Sequence, residues 1–122
     1  MKMAKKHVIR FWLPVLGYLA LIFVLSSLSA PIFAETTVPF LDKFFHTIEY
    51  ALLGFLFIRG LRNSRLLLSN AKFILLAVAL STLYGISDEF HQYFVPNRSA
   101  SLIDILFDCI GSVIGSTIYK KR

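Results

Sequence analysis

Between Phe11 and Ala34 the chain runs for 24 residues without a charged side chain. About 20 apolar residues in helical form cross the hydrocarbon core of a bilayer, so this run predicts a transmembrane helix. Composition carries the argument to the rest of the chain. Apolar residues make up 57% and charged residues 16% of the 122 positions, where soluble domains have about 45–50% and about 25%. A chain of this length holds one domain, and that domain has too few charges to cover its surface in water. The expectation is an all-α integral membrane bundle occupying residues 1–122 as a single unit.

Lys2, Lys5, Lys6 and Arg10 stand before the first apolar run, which is also how a secretory signal peptide begins. The run is longer than a signal core of about 7–15 residues. A cleavage site before Glu35 would put Ile32 where a small residue is preferred. An uncleaved anchor is therefore expected. Three further apolar runs are interrupted by ionisable residues. Phe44 to Leu61 contains His46 and Glu49, Phe73 to Phe94 contains Asp88, Glu89 and His91, and Leu102 to Tyr119 contains Asp104 and Asp108. At 1.5 Å per residue each reaches across a core of about 30 Å with little margin. The reading is four spans, at about 11–30, 44–61, 73–94 and 102–119.

Eleven of the thirteen Lys and Arg residues lie in the amino terminus, in the segment Arg59 to Lys72, or at Lys120 to Arg122. These segments alternate along the chain, and cytoplasmic loops are the ones that collect basic residues. Both termini are expected in the cytoplasm of a multi-pass protein. Lys43 and Arg98 remain, at the two outward connections. A net charge of +6 does not indicate nucleic acid, because basic and aromatic residues are not interleaved along one face. Membrane lipids are the expected surroundings. The lone Cys109 rules out an internal disulfide and reads as a small buried hydrophobe. Asn97-Arg98-Ser99 fits a glycosylation pattern but reads better as a turn before the fourth helix.

All seven acids fall in the outward half of this arrangement. Glu49 lies about 10 Å below Asp42, Asp88 about 9 Å below Phe94, and Asp108 about 10 Å below Ser101, so three helices offer carboxylates at one depth. Asp42, His46, Glu49, Tyr50 and Leu53 share a face of the second helix. Asp104, Asp108, Gly111 and Gly115 share one on the fourth, where glycines permit close helix approach. Intramembrane ionisable groups are costly, usually face the bundle interior and mark function. Asp42 also reads as a cap of the second helix, and Ser101 with Asp104 as a capping box. Glu49, Asp88 and Asp108 lie too deep for capping; their structural alternative is a network that holds the bundle together.

The pattern Asp42-Lys43-x-x-His46-x-x-x-Tyr50-x-x-Leu53-Gly54, then Asp88-Glu89-x-His91-Gln92-x-Phe94-x-Pro96-x-Arg98, then Asp104-x-x-x-Asp108-x-x-Gly111 resembles the VanZ-like family of small bacterial membrane proteins. Asn97 departs from the glycine often found at that position in the family. The resemblance implies a multi-pass protein of the bacterial cytoplasmic membrane, and the family's namesake is linked to reduced susceptibility to teicoplanin-type glycopeptides. It carries over no catalytic residues.

Two functions compete on these residues. One is a non-catalytic envelope protein that binds a lipid-linked or glycopeptide ligand and modulates glycopeptide susceptibility. The other is an outer-leaflet enzyme acting on a lipid-linked phosphate or pyrophosphate by metal-assisted or acid/base chemistry. The candidate catalytic or binding residues are His46, Glu49, Asp88, Glu89, His91, Arg98, Asp104 and Asp108. Asp42, Lys43, Tyr50 and Gln92 are candidate ligand contacts. Lys43 and Arg98 are placed to hold an anionic group. A divalent metal is the candidate cofactor, with Asp104 and Asp108 as its ligands. No serine or cysteine stands beside a histidine in a way that suits covalent acyl transfer. Ion translocation ranks last, because the inward halves of the helices lack matching polar residues.

Overall fold

The computed structural model describes residues 2–28, 40–96, 98 and 100–121. Four helices account for nearly all of them: α1 Lys2–Ser26, α2 Leu41–Arg62, α3 Asn70–Tyr93 and α4 Leu102–Ile118. They span about 37, 33, 36 and 26 Å at 1.5 Å per residue. The first three are long and apolar enough to cross a membrane. α4 lies where the sequence placed the fourth span, but its 17 residues fall about one turn short of a 30 Å core.

Three helices begin earlier than the apolar runs suggest. α1 starts at Lys2 rather than Phe11, because Lys, Ala and Arg are good helix formers and no breaker separates them from the apolar run. α3 starts at Asn70 because the Ser69 side chain accepts the Lys72 N–H at 3.3 Å, an N-cap placed one turn before Phe73. α2 is entered through Phe40 in the left-handed region (φ 62°), with no side-chain cap.

Cross-helix contacts fix the arrangement. The His7 ring meets the Asn63 carbonyl (2.7 Å), and the Tyr18 hydroxyl donates to the Glu49 carbonyl (2.8 Å), so α1 and α2 run antiparallel. The Tyr84 hydroxyl donates to the Leu19 carbonyl (2.6 Å) and His91 meets the Ser27 hydroxyl (3.0 Å), so α1 and α3 run parallel. His46 reaches Asp108 at one end of the α2–α4 pair, and Arg62 donates to the Tyr119 carbonyl (3.0 Å) at the other. The bundle therefore alternates in direction. Lys2, the α2–α3 connection and Lys121 share one end; Ser27, Lys43, His91, Arg98 and Ser101 share the other.

α2 and α4 pack most closely, and glycines make this possible. A Cβ on Gly54 would sit 2.5 Å from the Ser112 carbonyl oxygen. On Gly111 and Gly115 it would overlap the carbonyls of Thr47 and Ala51. The stripe expected on α4 thus abuts the backbone of α2.

The burial pattern is that of a protein whose solvent is lipid. Ser81, Asp88, Glu89, Gln92, Asp104, Asp108, Ser112 and Ser116 are all buried, beside Val15, Ile22, Tyr50, Leu53, Phe57, Ile58, Leu61 and Ala77. Leu13, Leu16, Leu75, Leu83, Phe90 and Ile118 face outward, each more than 60% exposed. In hydrocarbon, apolar groups gain nothing by hiding and polar groups must find partners inside. Cys109 is half-buried rather than buried.

Candidate functional site

The polar residues gather where α2 and α4 begin and α3 ends. A run of ion pairs joins α2 to α4, since residues 43 and 46 share a face with one another, as do 104 and 108. His46 donates from Nδ1 to Oδ1 of Asp108 at 2.9 Å, and its Nε2 lies 3.9 Å from Oδ2 of Asp104. Lys43 bridges Asp42 (2.8 Å) and Asp104. Asp108 is fully buried and Asp104 is 7% exposed, so these are groups removed from water and held by charge.

α3 supplies the third wall. Glu89 is buried and accepts the Ser101 N–H at Oε2 (2.9 Å). Asp88, also buried, accepts from the Gln92 amide (3.0 Å) one turn on. Glu49, half-buried on α2, lies within electrostatic reach of His46, Asp88 and Asp108. The floor is Gly85, where a Cβ would be 2.8 Å from Oδ2 of Asp108 and 3.2 Å from the ring of the fully buried Tyr50.

Three oxygens at this end are buried with no hydrogen-bond partner among the described residues: the Tyr50 hydroxyl, Oε1 of Glu89 and Oδ2 of Asp108. His46, Glu89 and Asp108 each offer a ligating atom, and these atoms lie within 4.8 Å of one another. One imidazole and two carboxylates are a donor set suited to a divalent transition ion. The hydrogen-bonded His46–Asp108 pair also has the form of an acid/base group oriented by a carboxylate.

Several sequence readings change in detail. Asp104 is turned to Lys43, and Glu89 takes its place beside Asp108 among the possible metal ligands. Ser101 makes no side-chain cap; its N–H is taken by Glu89, so the capping-box reading of Ser101 and Asp104 fails. Asp42 is not the N-cap of α2, a position held by Phe40. It sits in the first turn, where its charge suits the helix dipole.

The two cations expected to hold an anion are both engaged. Lys43 is between two carboxylates, and Arg98 donates from Nε to the Leu28 carbonyl and from Nη2 to the Leu25 carbonyl, both at 3.0 Å. Arg98 thereby ties the α3–α4 connection to carbonyls at the end of α1. His91 also turns to α1, stacked on Phe23 at 4.7 Å, while staying within electrostatic reach of Asp88. Glu35 and Asn97 lie outside the described residues.

Sequence reasoning passed over Gly85 and Thr82. Gly85 stands one turn before Asp88 on the same face of α3, and that spacing was a usable signal. The buried Thr82 hydroxyl, with no hydrogen-bond partner among the described residues, left none.

The family model described as VanZ/LLP1 matches residues 10–121. The chain belongs to the VanZ/LLP1 family. That match takes in all four helices but for the first eight residues of α1, so the polar cluster is built wholly from the VanZ/LLP1 domain. No curated protein and no solved structure matches the chain. What is fixed is a multi-pass membrane protein of the VanZ/LLP1 family with a buried His/Asp/Glu cluster.

Proposed function

We propose that the protein spans the bacterial cytoplasmic membrane four times, with both termini inside, and binds an envelope ligand at its outward polar cluster, modulating glycopeptide susceptibility. The basic residues at the opposite end of the bundle support this orientation, because cytoplasmic loops collect Lys and Arg. α4 completes the fourth span with help from flanking residues, since a short helix is accommodated by local thinning of the bilayer.

One observation carries the binding role: buried oxygens of Glu89, Asp108 and Tyr50 that have no hydrogen-bond partner among the described residues. A network serving only to hold helices together is stable when every member is satisfied, and each buried unpaired polar group costs about 1–3 kcal/mol. Binding sites keep such groups ready for a ligand.

The test is a pair of isosteric changes, Glu89→Gln and Asp108→Asn, in a strain where deletion alters teicoplanin susceptibility or another envelope trait. Both variants should reach normal abundance in the membrane and lose the trait. Full function at normal abundance would remove the site from consideration. Loss of function only through loss of protein would assign the cluster to bundle stability.

A second reading is favoured by the His46–Asp108 hydrogen bond: acid/base chemistry on a lipid-linked phosphate at the outer leaflet. It predicts turnover of such a lipid by purified protein, abolished by His46→Gln.

A further inference from the structure

We infer that His46, Glu89 and Asp108 form a site for one divalent transition ion of the zinc or manganese kind. This rests on the binding role proposed for the cluster and names what the cluster holds first.

The donor set is the starting point. Three ligating atoms from three different helices lie within 4.8 Å of one another. Around an ion with bonds of about 2.1 Å, neighbouring ligands in a tetrahedral site are about 3.4 Å apart. The side chains need only close from one figure to the other, a matter of rotamer adjustment rather than helix movement. One imidazole and two carboxylates suit zinc or manganese. Magnesium keeps several waters and favours oxygen, and calcium asks for six to eight oxygens, more than this set provides.

The second observation is independent of that spacing. Among the described residues, Oδ2 of Asp108 and Oε1 of Glu89 have no hydrogen-bond partner, in side chains whose residues are 0% and 3% exposed. Ionised carboxylate oxygens accept and cannot donate, so they need positive charge or a donor. The N–H groups of the nearby cations are directed elsewhere, those of Lys43 to Asp42 and Asp104 and those of Arg98 to the carbonyls of Leu25 and Leu28, and Arg98 acts electrostatically on Glu49. The carboxyl groups of Glu49 and Asp88 lie within electrostatic reach of the same cluster. A divalent ion supplies both the charge and the coordination that these oxygens lack, at a point where a low dielectric makes uncompensated carboxylates costly.

Three protein ligands leave at least one coordination position open, as at metal sites that bind a further ligand. The open position suits an oxygen of an anionic envelope ligand. It also explains how such a ligand binds where Lys43 and Arg98 are occupied.

The experiment uses the full chain, tag-free, in nanodiscs stripped of metal. Elemental analysis after equilibration with Zn2+, Mn2+ or Mg2+ should give about one Zn2+ or Mn2+ per chain and little Mg2+. Glu89→Gln and Asp108→Asn should each weaken binding at least tenfold. His7→Gln, which removes an exposed imidazole at the opposite end, should leave it unchanged. Less than a fifth of an equivalent of any ion, or binding that survives both substitutions, overturns the site. Should the variants fail to fold, zinc-edge absorption of the unaltered protein decides: a shell of one imidazole and oxygen donors upholds the assignment, and a shell without imidazole refutes it. Absence of metal together with loss of the envelope trait in Asp108→Asn would reject the ion and leave the binding role standing.

Discussion

Replacing Gly115 by alanine should separate α2 from α4, and the size of the effect follows from the geometry. The new methyl would overlap the Ala51 carbonyl oxygen and lie 2.5 Å from its carbonyl carbon and 2.9 Å from its Cα. Carbon atoms rest about 3.5–4.0 Å apart, so the helices must part by about 1 Å. Backbone atoms cannot rotate out of the way as a side chain can. Overpacking of this kind costs about 1–3 kcal/mol, and the rigid obstacle puts it at the upper end. Alanine returns at most about 1 kcal/mol in helix propensity. The net loss is about 2 kcal/mol. Gly17→Ala is the internal control, because nothing lies within 4 Å of its Cβ position, and it should be neutral or slightly stabilising. Reversible unfolding of both variants in mixed micelles, followed by circular dichroism, gives the two values. Equal stability of the two variants would refute the claim that α2 and α4 meet backbone to backbone.

Lys43→Gln should destabilise the protein by on the order of 2 kcal/mol, less than the 3–5 of a fully buried pair because both partners keep some exposure; the same unfolding assay measures it, and an unchanged stability would show the bridge to be incidental. In a background with Cys109 replaced, a cysteine at Arg65 should resist an impermeant thiol reagent applied to intact cells, and one at Ala100 should react. Labelling of position 65 from outside would reject the four-span orientation.

The helices were legible because hydrocarbon demands long apolar runs, and the polar cluster because Glu49, Asp88 and Asp108 sit too deep in such runs to be ordinary. The Gly111 and Gly115 stripe also told correctly which face of α4 meets a neighbour. Helix ends were less legible. A charge-free window marks contact with lipid, whereas helical backbone continues through Lys2 to Arg10 and back to the Ser69 cap. Partner choice was least legible. Periodicity places His91, and the outward connection places Arg98, near the cluster, but their contacts with Phe23, Leu25 and Leu28 depend on where α1 docks. In the same way nothing local distinguishes a Ser101 that caps its own helix from one whose N–H is taken by Glu89.

The parallel pairing of α2 with α4 has a consequence for biogenesis. The ribosome delivers helices in order, so α2 enters the bilayer two segments before the helix it fits best. Until α4 arrives, Lys43 lacks Asp104, His46 lacks Asp108, and the backbone of Thr47 and Ala51 lacks the glycines that cover it. A nascent chain halted after α3 would leave Lys43 with Asp42 alone and the His46 imidazole without Asp108. The last 17-residue helix is therefore the piece that supplies the carboxylates for Lys43 and His46 and covers the backbone of α2.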